Sequence, residues 1–187
     1  MCAGTVHGAQ AVQKTHSYRL DAFSSGDAGP LGFVEEGMVR WAQKWEVKPA
    51  APASSLSLFA IENIVKTPFW PRVEMLINHA GVDGRVVDLL LQACRGSADT
   101  AGDDPTSSGV QGLVVAGTGN GTVHADLQAA LLRAKAAGVQ VWRTSRCAFG
   151  HVMAVPGGDE ALPGAGDLSP VKARVALMLQ LLGEQSN

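Results

Sequence analysis

Cysteine is scarce in this chain. The three present, Cys2, Cys94 and Cys147, stand far apart in 187 residues and form no C-x-x-C pair, so neither a disulfide framework nor a structural metal is expected. The five histidines show no ligand spacing either. Charge of one sign is also lacking: 15 basic residues against 17 acidic ones leave a net charge of -2, with lysine and arginine dispersed. There is no basic stripe for a phosphate backbone and no cationic face for a lipid surface, so nucleic acid and membrane are not expected partners. No run of about 18 apolar residues could span a bilayer, and the first dozen residues lack the charged-then-apolar order of a signal peptide. A cytoplasmic location is the expectation, with the periplasm left open because residues upstream of Met1 would decide it.

What is present is an ordinary globular composition, 46% hydrophobic and 17% charged, enough for one good core and part of another but not for two complete domains. From Pro71 onward short apolar runs alternate with helical periods, which argues for βαβ units around a parallel sheet, an α/β fold. Strands are expected near residues 73–78, 113–116 and 139–142. Asp83 can cap a helix presenting Val86, Leu90 and Ala93, and a second helix presents Leu127, Leu131 and Ala134 before Gly138 at its C′ position. The last helix is bounded by Ser169 as N-cap and Pro170 at its first position, with Val171, Val175, Met178, Leu179 and Leu182 on one face before Gly183. Residues 1–33 do not read as the start of a domain, since residues 4–6 resemble the tail of a strand and polar, glycine-rich sequence follows. Residues 50–55 read as a linker, residues 56–61 as a short strand, and residues 97–111, small and acidic, as an inserted surface loop.

The chemistry is expected at Gly117-Thr118-Gly119-Asn120-Gly121-Thr122, a glycine-rich turn between a strand's carboxyl end and a helix, which is where open α/β sheets hold their ligands. Thr122 stands where a dinucleotide fingerprint would have its third glycine, and no Walker lysine follows, so nucleotide binding is a weak reading. The bare residues read as backbone shapers at Gly119, Asn120 and Gly121, with Thr122 as an N-cap. Trp41, Trp45, Trp70 and Trp142 read as packing anchors, and His7, His16, His79, His124 and His151 as polar loop residues.

Three further motifs surround that turn: Val141-Trp142-Arg143-Thr144-Ser145-Arg146, Leu168-Ser169-Pro170-Val171-Lys172-Ala173-Arg174, and Lys14-Thr15-His16-Ser17-Tyr18-Arg19-Leu20-Asp21-Ala22-Phe23 followed by Gly29-Pro30-Leu31-Gly32. In this order they resemble the bacterial L-asparaginase family, type II-like, with its G-x-GNG turn, V-x-R-[ST]-[ST]-R strand end, L-[NS]-P-x-KAR helix start and KT…GPLG stretch. The resemblance implies residues 1–40 as the last piece of the larger N-terminal α/β domain, 41–70 as linker, and 71–187 as the C-terminal domain, a small flavodoxin-like parallel sheet with flanking helices. It implies an amidohydrolase that converts L-asparagine to L-aspartate and ammonia without a cofactor, acting on a small-molecule amino-acid amide and working as a homotetramer in its full-length form.

Deamidation needs a nucleophile, a base and oxyanion donors. The family's nucleophilic threonines lie in T-G-G-T and T-D-T turns, and neither motif occurs in these 187 residues, so the chain by itself is expected to be inactive. The resemblance carries over Lys14 as the catalytic lysine and places the substrate's amino-group contact on the glycine turn at Thr122, with Asn120 as a second substrate-binding residue. The family's glutamate, a dozen residues beyond the second arginine, falls at Pro156-Gly157-Gly158. Asp159 and Glu160 are nearby, and neither is assigned. Arg143 and Arg146 are expected to pair with carboxylates or carbonyls. The alternatives are a non-catalytic remnant or interaction module, and the asparaginase-like subunit of a tRNA amidotransferase.

Overall fold

The computed structural model describes residues 1–44, 67, 69–98, 109–153 and 162–185. Trp45, the expected linker and strand at 50–61, most of the insertion at 97–111, and Asp159 and Glu160 lie outside the described residues. The chain divides into two compact units, Met1–Pro49 with Ala148–Gly150, and Ala50–Cys147 with His151–Asn187.

The first unit is built from short antiparallel pairings. Strands β1 (Thr5–Val6), β4 (Gly32–Glu35) and β5 (Met38–Trp41) form one sheet in the order β1-β4-β5. A second pairing joins β2 (Gln13–Lys14) to β3 (Phe23–Ser24), with Lys14 opposite Phe23. The β4–β5 hairpin turns through Glu36 and Gly37, both at positive φ, the backbone that a two-residue hairpin needs to match strand twist. Of these elements the sequence reading anticipated only the strand at 4–6. The hairpin escaped because its central pair, Glu-Gly, is a weaker turn signal than Asn-Gly.

The second unit is α/β, as expected. Strands β6 (Val73–Ile77), β7 (Gly112–Gly117) and β8 (Gln140–Ser145) lie in the order β6-β7-β8, both pairs parallel, with Val73 opposite Gly112 and Gly112 opposite Gln140. Every residue of β7 is buried, which is why its sequence is a continuous apolar run: a central parallel strand is covered on both faces. On one face Leu113, Val115 and Val141 meet Val87 of α1 (Arg85–Ala98) and Leu127, Ala130, Leu131 and Ala134 of α2 (Ala125–Ala136). On the other, Val73 and Val114 meet Ala173, Leu177 and Leu181 of α3 (Pro170–Gln185). Each fully buried leucine or valine here contributes about 1.5–3 kcal/mol of transfer free energy.

The helix boundaries follow their end signals. Asp83 Oδ1 accepts from Arg85 N at 3.1 Å, and Ala173 N donates to the Ser169 carbonyl at 2.8 Å, leaving Pro170 as first helical residue. At the end of α2, Gly138 N donates to Lys135 O and Val139 N to Ala134 O, both at 3.0 Å, with Gly138 at φ 91°; this is a Schellman closure. Two helical faces differ from expectation. In α1 the packed face is Val87, Leu90 and Leu91, with Val86 turned outward; in α3 Met178 and Leu182 lie on the packed side as expected, together with Ala173, Leu177 and Leu181, while Val171 and Val175 are exposed. Both helices are apolar over more than half their circumference, so periodicity alone left the phase open. Gly183 lies inside α3, which runs on to Gln185.

The two outer edges of the sheet are closed differently. Along β8, Arg143 N donates to Pro163 O and Ala165 N to Arg143 O, each at 2.8 Å. At β6, the Arg174 guanidinium Nε donates to the Val73 carbonyl at 2.8 Å. Among the described residues no helix is long and apolar enough to cross a membrane.

Candidate functional site

Parallel pairing brings three strand ends of the second unit to one side of the sheet. β6 leads into Asn78, β7 into the glycine turn, and β8 into Ser145 and Arg146. Asn78 is buried, its N–H donates to Ala116 O at 2.9 Å, and its Oδ1 accepts from His124 N at 2.8 Å. One amide side chain thus ties the end of β6 to the start of α2. The Arg146 guanidinium donates to the Asn78 carbonyl at 3.2 Å and its own N–H to Gly117 O at 2.9 Å, the carbonyl pairing expected of that arginine. Arg143 Nε is buried and makes no hydrogen bond among the described residues.

The glycine turn is a closed loop. Thr118 N donates to Thr122 O at 2.9 Å and Thr122 N to Thr118 O at 2.8 Å. Between these bonds Gly119 (φ 51°) and Gly121 (φ 75°) adopt left-handed backbone, a region in which a Cβ is strained. Gly117 is required for a different reason: a Cβ there would lie 2.5 Å from the carbonyl carbon of Gly121. The tip is anchored by Ser145 Oγ donating to Gly119 O at 2.7 Å, and by Met153 N donating to Asn120 Oδ1 at 2.8 Å. Asn120 therefore commits its carbonyl to the fold. Thr122 is exposed. The helix that follows is capped by His124, whose Nδ1 accepts from Asp126 N at 3.3 Å, so Thr122 does not serve as the N-cap and its hydroxyl is not used in that bond.

In the first unit, Lys14 ends β2, and its side chain is exposed. An open depression beside it is lined by Lys14, Thr15, His16, Ser17 and Tyr18. The neck of the loop is closed by Thr15, whose N–H and hydroxyl donate to Ala22 O at 2.7 and 3.2 Å. Nearby, Ser25 is buried with its Oγ 2.8 Å from His7 Nδ1. The segment Ala148–Gly150 belongs to this unit, with Gly150 N donating to Asp27 Oδ2 at 3.0 Å and Gln13 Nε2 to Ala148 O at 3.1 Å.

Thr122 and Asn120 thus share one turn, and Lys14 stands in the other unit. Sequence reasoning missed Asn78, Ser145 and His124 as the residues that hold the turn. Only the polar residue closing each strand could have signalled them. In the Lys172-Ala173-Arg174 motif, burial holds the Lys172 ammonium below the usual lysine value. Among the described residues no group of three or more His, Cys, Asp or Glu could hold a metal ion.

Residues 72–187 match the glutaminase/asparaginase C-terminal domain, and residues 1–47 the N-terminal asparaginase domain. L-asparaginase 2 of Escherichia coli is 28% identical, covering 95% of this chain and 45% of the relative. A glutamyl-tRNA(Gln) amidotransferase subunit of Halobacterium salinarum is 32% identical, covering 94% and 39%. The crystal structure of a probable cytoplasmic L-asparaginase from Campylobacter jejuni superposes with a TM-score of 0.73 at 30% identity, covering 96% of this chain and 49% of that one. The chain spans less than half the length of each of these relatives. With both domain matches in chain order, the chain belongs to the glutaminase/asparaginase family.

Proposed function

We propose that this chain is the C-terminal part of an amidohydrolase that converts L-asparagine to L-aspartate and ammonia through a threonine acyl-enzyme, and that it is inactive alone. Residues 1–40 close the N-terminal domain in this reading, and the active full-length form is a homotetramer. The observation that carries the proposal is the closed turn at 118–122, which holds Asn120 and Thr122 exposed at the end of β7. In the reaction the threonine oxygen attacks the side-chain amide carbon, ammonia leaves, and water hydrolyses the resulting ester. The Lys14 ammonium lowers the threonine's pKa or relays its proton, the Thr122 hydroxyl accepts from the substrate's amino group, and the Asn120 N–H groups donate to an oxygen of the substrate. A threonine in place of a longer amide side chain shortens the reach of that contact, which bears on the choice between asparagine and glutamine.

The test has two arms. Coding DNA upstream of Met1 should contain T-G-G-T and T-D-T in frame, and the protein expressed with that segment should release ammonia from asparagine while the 187-residue chain does not. Ammonia release by the short chain itself would overturn the assignment of the nucleophile. A second reading has the chain as part of a tRNA amidotransferase, favoured by the 32% identity to the Halobacterium salinarum protein. The net charge of -2 argues against it. Salt-sensitive binding of tRNA to the purified chain would reverse that preference.

A further inference from the structure

His16 Nδ1 accepts two backbone N–H groups, from Tyr18 at 3.1 Å and from Arg19 at 3.2 Å. A single ring nitrogen therefore shapes the loop between β2 and β3. Little else can hold it. Tyr18 and Leu20 are each 92% exposed, so the loop has no packed core, and its other ties are the Thr15–Ala22 neck and the Cys2 Sγ donating to Leu20 O at 3.1 Å. An Nδ1 that accepts must be unprotonated, which places the proton of the neutral ring on Nε2.

The geometry points to His16 as a proton-sensitive latch: its unprotonated Nδ1 holds the Tyr18 and Arg19 backbone of the loop that follows Lys14, and a proton on that nitrogen releases it. Two hydrogen bonds share one lone pair, and protonation turns that acceptor into a donor facing two donors, so both are lost together. The ionisable groups of the His16 hairpin are Lys14, Tyr18, Arg19 and Asp21, with the Cys2 thiol reaching the loop at Leu20 O. Among the described residues none of them forms an ion pair with the ring. The catalytic consequence rests on the proposed function of Lys14. The latch itself does not.

The chain contains a single tyrosine, so labelling with 15N-tyrosine gives one backbone amide resonance, that of Tyr18, a donor to the latch. It is followed in the full chain from about pH 7.5 to about pH 5, the range in which histidines change charge, for wild type, His16→Asn and His16→Ala. Asparagine Oδ1 offers the same acceptor without titrating. The wild-type amide should shift on acidification and lose protection from solvent exchange by roughly tenfold, the scale of one hydrogen bond. His16→Asn should stay protected throughout, and His16→Ala should be unprotected at every pH, with the tryptophan indole resonances unchanged in all three. A wild-type amide that does not respond to acid, or a His16→Asn amide that titrates like wild type, overturns the latch. Turnover in the full-length enzyme separates the two ideas. If Lys14→Met leaves turnover intact, the proposed function falls while the latch stands.

Discussion

Replacing Gly117 by alanine puts a methyl group where the backbone of the glycine turn already is. The new Cβ would lie 2.5 Å from C, 2.7 Å from O and 2.8 Å from Cα of Gly121. All three are main-chain atoms, so no side-chain rotation relieves the overlap. The turn must move outward, and the Thr118–Thr122 pair of hydrogen bonds, 2.9 and 2.8 Å, opens. Two such bonds are worth about 1 kcal/mol each, and residual overpacking adds at least about 1 kcal/mol. The expected loss is about 3 kcal/mol, which lowers the melting temperature by roughly 10 °C for a chain of this size. Gly119→Ala is the control, because nothing lies within 4 Å of its added methyl and only its φ of 51° is strained, at a cost of about 1 kcal/mol. Urea unfolding followed by far-UV circular dichroism measures both variants. The amide resonance of Met153, bonded to Asn120 Oδ1, reports whether the turn has moved. Equal stability of the two variants, or an unmoved Met153 amide in Gly117→Ala, would refute the reasoning.

Other outcomes follow from the same structure. If the proposed function holds, Lys14→Met in the full-length protein should lower kcat by at least about a hundredfold, the scale of losing a positioned proton-transfer group, with the unfolding midpoint little changed; steady-state kinetics decide it, and an unchanged kcat removes Lys14 from the mechanism. Leu131→Ala should cost about 3 kcal/mol, because Leu131 is fully buried, whereas Leu89→Ala, 63% exposed, should stay within about 0.5 kcal/mol; chemical denaturation separates them. Hydrogen bonding to the Arg40 guanidinium, at 3.0 and 2.8 Å, holds the Glu35 carboxyl below its ordinary value. A depressed carboxylate stabilises the fold above its unfolded pKa and loses that contribution as pH falls through the folded one, so an NMR titration should show the Glu35 midpoint rise in Arg40→Ala.

The order of the C-terminal unit was legible because parallel sheets write themselves plainly: buried strands as apolar runs, helices between them, and end signals such as Asp83, Pro170 and Gly138. The rotation of α1 and α3 was not legible, since Val86, Val171 and Val175 extend the apolar arc past the buried one and composition cannot choose its centre. The turn at 117–122 stood out through its glycines. The residues that fix it did not, because Asn78, Ser145 and Met153 reach it from distant points in sequence through strand pairing and loop closure. In the first unit the small antiparallel pairs had too few residues each, two to four, to show any alternation.

The unequal edges of the sheet set the direction in which this architecture can grow. At β8 the chain's own backbone fills the hydrogen bonds around Arg143, and a newcomer would have to displace a peptide segment. At β6, among the described residues, the guard is one guanidinium on one carbonyl, and a side chain can rotate aside. Among the described residues, an added strand, acquired by insertion over evolutionary time or captured from another molecule in a concentrated solution, would meet least resistance beside Val73–Ile77. Arg174 therefore serves the edge of the sheet as well as the helix-start motif.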